Sequence, residues 1–247
     1  CGYDYRDMAV VYGSAERYRS AVARVFGQAG IPCFAGERRT LDQCAMSTFL
    51  LTAIELMQGR LKKDTLLAHA KTGLCGIAER EMYALENYVF SNVRDGFAFT
   101  FPFRDEAAER ARAVLMEPIL RMREAARREE TAGGMIDCLL AYMEERNTAE
   151  KLTQQIRAAE AAGLSESAEY SAQVLEKTLR ILVQAKEILG GRPMKKTQLL
   201  GLVRTGLKAR RIGVIPPGAD EIAAGEVSYI RLGDVKAVFV LGLNDGI

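Results

Sequence analysis

The chain has 247 residues, 49% hydrophobic and 27% charged, with a formal net charge of +2. That supplies core material for one or two domains, and too little net charge to imply a nucleic-acid or membrane partner without a local cluster. The five cysteines (Cys1, Cys33, Cys44, Cys75 and Cys138) form no Cys-x-x-Cys, and no apolar run reaches the ~18 residues of a membrane span, so a disulfide framework, a cysteine zinc site and a membrane partner are not expected. With no signal peptide visible, the composition suits a reducing cytoplasm. The sequence starts at Cys1 and stops just after an apolar run, so a piece of a longer protein is expected.

In chain order, Asp7–Tyr12 reads as a buried strand ending at Gly13-Ser14. Ser14 is placed to cap a helix whose Tyr18, Val22, Val25 and Phe26 share a face, and Gly30 stands where a left-handed cap belongs. Ile31–Phe34 follows as a second strand, which makes a parallel βαβ crossover. From Leu41 the period turns helical. One stripe holds Phe49, Leu50, Ala53, Ile54 and Met57, and a second helix, capped by Asp64, carries Leu66, Leu67 and Ala70. A third runs from Glu79 to Val93. Phe97, Phe99, Phe101 and Phe103 then alternate, as a short strand or as an extended segment laying four rings onto helices.

Asp105–Glu130 is a charge-balanced helix that Pro118 should kink or split. Gly133-Gly134 separates it from a helix over Met135–Glu145. Ala149–Ala162 is only weakly amphipathic. Tyr170–Leu189 is strongly so, through Val174, Leu175, Leu179, Leu182, Ala185, Ile188 and Leu189, and Leu199–Leu207 is one more helix. Pro216-Pro217-Gly218 reads as a linker and Glu221–Val227 as a possible strand. Val235–Leu241, nearly all apolar, reads as a fully buried strand of a parallel sheet. Its partners must come from the other end of the chain, because the stretch between is helical. The expected fold is therefore α/β: a small parallel-sheet domain from residues 1–40 and 212–247, interrupted by a large helical insertion over residues 41–211.

Signs of chemistry are sparse. No phosphate loop of the Gly-x-x-x-x-Gly-Lys-Ser/Thr or Gly-x-Gly-x-x-Gly type occurs, so no nucleotide cofactor is expected on these residues. The lone histidine, His69, reads as an ordinary surface or half-buried imidazole, and no catalytic residue or metal site emerges. Glu129-Glu130 and Glu144-Glu145 read as solvated ion-pairing groups. The most uneven charge is between Gly190 and Arg211, where Arg192, Lys195, Lys196, Arg204, Lys208, Arg210 and Arg211 stand with no Asp or Glu. Such a run is either a solvated helix end or a set of DNA phosphate contacts without base stacking. Lys71-Thr72-Gly73-Leu74-Cys75-Gly76-Ile77 is a second candidate, since a glycine turn between helices can offer backbone N–H groups to a phosphate.

Specific stretches carry a resemblance. Val235–Gly246 is similar to the strand after motif V in UvrD/Rep-type superfamily 1 helicases, and more closely to the B subunits of AddAB (RexAB) ATP-dependent helicase–nucleases. Tyr5–Val11, Gly30-Ile31-Pro32, Leu67–Leu74, Leu85–Val89 and Ile215-Pro216-Pro217 resemble the same family in the same order. The resemblance implies a RecA-like domain 2A built from both chain ends and interrupted by a helical 2B insertion. It implies a role in DNA-end resection for recombinational repair, with an AddA-type partner supplying motor activity. The ATP-binding loop with its Mg would precede these residues, and a cysteine-bound iron–sulphur cluster would follow them. Motif V is degenerate: its His falls on Ser228, its Lys-Gly on Arg231-Leu232 and its Glu on Asp234. The Lys71, Thr72, Gly73 turn falls where these helicases have a glycine turn in 2B that can touch duplex DNA. The expected DNA contacts are that turn with Lys195, Lys196, Arg204, Lys208, Arg210 and Arg211. The rival expectation is a docking module for the partner subunit without DNA contact.

Overall fold

The computed structural model describes residues 2–35, 38–161, 165–213, 220–228, 230 and 232–242. The expected linker at Pro216-Pro217-Gly218 lies outside them. In chain order the elements are β1 (Met8–Tyr12), α1 (Ala15–Ala29), β2 (Cys33–Ala35), β3 (Arg38–Thr40), α2 (Ala45–Leu56), α3 (Lys63–Ala70), α4 (Glu79–Asn92), α5 (Glu106–Ala126), α6 (Ala132–Glu145), α7 (Thr148–Ala161), α8 (Ser165–Leu189), α9 (Lys196–Ala209), β4 (Arg211–Gly213), β5 (Ile222–Glu226) and β6 (Ala237–Leu241). Two compact units emerge: Cys1–Arg39 with Gly213–Ile247, and Thr40–Ile212. β3 and β4 form a separate two-stranded sheet.

The first unit is a parallel sheet in the order β2-β5-β1-β6. Both chain ends share it, as their apolar runs demand. Met8 is in register with Ala237, and Tyr12 with Leu241. One residue before this ladder, the Asp7 carbonyl accepts the Lys236 N–H at 2.7 Å, and the Asp7 carboxylate accepts from Lys236 Nζ at 2.8 Å. That hydrogen bond holds the Asp7 carboxyl below its usual range. The expected crossover from β1 through α1 to β2 forms, but β5 slots between the two strands. α1 ends on Gly30 at φ 65°, as its position foretold. Ser14 takes the N-cap position without a side-chain bond; Glu226, at the end of β5, accepts the Ala15 N–H instead, at 3.3 Å.

The closing strand corrects the sequence reading. β1 and β5 are the inner strands, and Ala9, Val10, Val11 and Tyr12 of β1 are all buried. β6 lies at the edge of the described sheet, with Val238, Phe239 and Val240 exposed by 44%, 53% and 47%. Its apolar run reflects strand propensity, which does not distinguish an inner strand from an edge one. The buried cluster of this unit forms where Val10, Tyr12, Ile222 and Ala224 meet Val22 of α1.

The second unit buries one continuous helical core. Local details differ from the sequence reading, each for a physical reason. Lys62, not Asp64, precedes α3, and Asp64 sits inside the first turn. Pro118 does not split α5. A proline there has no N–H for the carbonyl of Val114, four residues back. Arg146 supplies the missing donor, with Nη1 3.3 Å from that carbonyl. Gly133 and Gly134 belong to α6, which Thr131 caps by accepting the Gly134 N–H at 3.2 Å. Gly133 donates to the Gly190 carbonyl at 2.9 Å, an approach that a Cβ would block. The phenylalanine segment is neither a strand nor a fully packed extension. Asp95 accepts the Phe97 N–H and starts a 3-10 turn over Gly96–Thr100. Phe99 and Phe103 go inward, while Phe97 and Phe101 stay exposed.

Candidate nucleic-acid interface

The turn after α3 is built on a buried polar chain. His69 is fully buried, not at the surface as the sequence suggested, and stacks on Phe49 at 4.5 Å between centroids. Its Nδ1 is 2.8 Å from Thr52 Oγ1, and its Nε2 is 2.7 Å from the Tyr142 hydroxyl. Thr52 donates its only proton to the Thr48 carbonyl at 2.6 Å, so it accepts from Nδ1–H. Nε2 is then left to accept from Tyr142. This neutral chain ties α2, α3 and α6 together. Burial, aided by the charge of Arg146, pushes His69 down to about 3, so it stays uncharged at neutral pH.

The His69 carbonyl anchors the turn itself. It accepts from the Thr72 hydroxyl at 2.7 Å and from Cys75 Sγ at 3.3 Å. Thr72 is therefore buried structure rather than an exposed contact, and burial pushes the Cys75 thiol up to about 12. Gly73 and Gly76 are exposed and adopt φ 74° and 71°, a backbone that L side chains rarely take. Among the described residues, the N–H groups of Gly73, Gly76 and Ile77 have no acceptor.

Two cations from the junction of α6 and α7 close over this turn. A Cβ on Gly76 would lie 2.7 Å from Lys151 Nζ and 3.4 Å from Arg146 Nη2. Lys151 donates to the Arg146 carbonyl at 2.6 Å and to the Leu74 carbonyl at 3.4 Å. Burial and the neighbouring Arg146 lower its pKa. Among the described residues, neither cation has a carboxylate in ion-pair range. Lys71, at the start of the turn, is ion-paired to Glu86. Sequence reading found this turn but not Arg146 or Lys151, because they lie some 75 residues downstream (77 for Lys151 and Leu74) and no spacing rule links them to it.

The basic run does not converge into one patch. Lys195 caps α9 and Lys196 opens it, while Lys208 is in its last turn. Twelve residues of helical rise, about 18 Å, separate Lys196 from Lys208. Arg204 is ion-paired to Glu55 at 3.2 Å, and Arg210 donates to Gln184 at 3.2 Å. Arg211 falls in β4, and its side chain is outside the described residues. The linear count missed Glu55 because α2 brings it in from elsewhere in the sequence. Of the motif V positions, Ser228 and Asp234 are exposed in the connection from β5 to β6, and Arg231 lies outside the described residues. Among the described residues no group of His, Cys, Asp and Glu side chains is placed to hold a metal, and no helix is long and apolar enough to cross a membrane.

A parallel-sheet unit made from both chain ends, with a helical unit between, defines an α/β protein of two parts. No family model matches the chain. It is similar over its whole length to curated proteins named as the B subunit of an ATP-dependent helicase/deoxyribonuclease. Identity is 26% over 265 residues with the protein of Clostridium botulinum (strain Loch Maree / Type A3), and 26% over 270 residues with that of Alkaliphilus metalliredigens (strain QYMF). With that of Bacillus mycoides (strain KBAB4) it is 26% over 276 residues, covering 99% of the chain. The chain spans about a quarter of these relatives' length, 23% to 24%. The resemblance drawn from the sequence is borne out at this level: curated homologues of that name cover the chain.

Proposed function

We propose that the chain is the helicase-like part of a B-type component of a DNA helicase–nuclease complex, and that it holds DNA without driving it. The Gly73–Ile77 turn carries this reading. It offers free N–H groups beside Lys151 and Arg146, two cations without carboxylate partners, on a support locked by His69. Such a surface suits the phosphate backbone, which is recognised with little sequence preference. In this reading the sheet unit is a RecA-like 2A domain and the helical unit is its 2B insertion. The absence of a phosphate loop from the sequence supports a motor-inactive role, as do Ser228, Arg231 and Asp234 at motif V positions. So does Glu226, whose carboxylate occupies the N-terminus of α1. ATP, Mg and an iron–sulphur cluster are assigned to other parts of the longer protein. An AddA-type partner and a role in double-strand-break repair follow from the names of the relatives.

Duplex binding, read by fluorescence anisotropy against salt concentration, tests it. Lys71→Ala and Lys151→Ala, with the fold intact by circular dichroism, are expected to weaken binding to unrelated duplexes alike. Each lost contact should flatten the plot of log affinity against log salt by about 0.9. An unchanged slope removes the turn from the interface. Lys195, Lys196, Lys208 and Arg210 are tested in the same way.

One observation favours a second reading, docking of the partner subunit. The apolar β6 edge, with Val238, Phe239 and Val240 exposed, is a surface that strand pairing or packing would cover. Under that reading Phe239→Lys disrupts assembly of the two-subunit complex and leaves the salt slope unchanged.

A further inference from the structure

A groove on the helical unit lies apart from the glycine turn. One cavity of about 400 Å³ is lined by Arg60, Asp95, Phe97, Thr100, Leu120 and Arg123, among others. A second, of about 430 Å³, continues from it, sharing Gly59, Leu120 and Arg123 and adding Glu124, Arg127 and Lys196. At the first end Phe97 and Phe101 are exposed by 59% and 56%, edge to face with centroids 5.3 Å apart. Two exposed rings on a short capped turn bury nothing of their own core; Phe99 and Phe103 already do that.

The charges along the groove are uneven. Arg60 pairs with Asp95 at 2.8 Å, and Arg127 pairs loosely with Glu124 at 3.7 Å, both on the surface. Arg123 donates to the carbonyls of Leu56, Gln58 and Gly59, which end α2, and no carboxylate neutralises it. Lys196 likewise has no ion-pair partner among the described residues. Arg60, Arg123, Arg127 and Lys196 thus outnumber Asp95 and Glu124. Beyond Lys196 the groove meets Glu129 and Glu130, which bound the cationic stretch.

We propose that this groove binds a short stretch of single-stranded DNA, with unpaired bases stacking on Phe97 and Phe101 and the backbone passing Arg60, Arg123 and Lys196. Single strands are held by this combination, because every base has a face to stack while phosphates follow a cationic track. The paired bases of a duplex cannot reach the rings, so the groove separates the two forms of DNA. This rests on the DNA-holding reading above and assigns the unpaired strand to a different place from the glycine turn.

Anisotropy with a labelled oligo-dT and with a blunt duplex tests it on the chain itself. Phe97→Ala with Phe101→Ala should lower oligo-dT affinity by about fivefold or more per stacked base and leave duplex affinity unchanged. Phe97→Tyr with Phe101→Tyr, which keeps both rings, should retain the wild-type affinity. Oligo-dT binding that is absent, or indifferent to the alanine pair, overturns the groove; duplex binding that still responds to Lys151 then leaves the turn standing. Equal losses for both DNA forms also overturn it, because the rings would then not discriminate an unpaired base.

Discussion

The hydroxyl of Tyr142 donates to Nε2 of His69 across 2.7 Å, and through that single bond α6 reaches the helix that carries the glycine turn. Tyr142→Phe leaves a buried ring nitrogen without its donor. An unsatisfied buried group costs about 1–3 kcal/mol. Urea denaturation is expected to show a loss of that size, with an unchanged dependence on denaturant concentration.

The same histidine predicts a pH dependence. Its folded pKa is depressed to about 3 against an ordinary 6.5, so below 6.5 the unfolded chain binds a proton that the native chain excludes. The stability it contributes is complete above about pH 6.5 and falls as pH drops toward 3, at up to about 1.4 kcal/mol per unit. Comparison with His69→Gln isolates this from the carboxylates. The wild type should lose stability faster than the variant between pH 6 and 4, and parallel curves would refute the assignment.

Arg146 and Pro118 should be energetically coupled, because the arginine serves the carbonyl of Val114 that the proline orphans. Arg146→Ala is expected to cost about 1 kcal/mol in the wild type. With Pro118→Ala in place, a helical N–H returns to that carbonyl and the cost should shrink by about 0.5 kcal/mol or more. A double-mutant cycle with no coupling would show that the donor is dispensable.

Gly76→Ala places a side chain at φ 71° and pushes it toward Lys151. A left-handed non-glycine residue costs roughly 1–2 kcal/mol. Thermal unfolding should register that loss. Duplex affinity should fall as well, since the methyl group occupies the place between the two cations where a phosphate would sit.

The fold was legible where chemistry is local and periodic. The stripes of α2 and α8, the glycine that ends α1 and the parallel pairing of the chain ends all follow from spacing. Burial was not legible for β6, because Val238, Phe239 and Val240 have the composition of an inner strand and only β5 entering beside β1 leaves them at the rim. The turn at Gly73 was visible, but its cations were not: Lys151 reaches Leu74 over 77 residues. Phe97 and Phe101 differ from Phe99 and Phe103 only in the direction that a 3-10 turn gives them. The basic run misled in the opposite sense, since adjacency in sequence became two separated helix ends, and Glu55 neutralises the arginine between them.

The bond between Lys236 and Asp7 joins residues 229 positions apart, and this sets an order of assembly. Closing a loop that long before anything inside it has formed costs chain entropy without early return, so such pairing is slow. The helical unit removes most of that cost, because the Leu41 N–H donates to the Arg210 carbonyl at 3.1 Å and the unit's entry and exit leave side by side. Once it folds, β1 and β5 are tethered by short connections. The sheet therefore condenses last, and pulsed hydrogen exchange should find the amides of α2 and α6 protected before those of Val10 and Val11.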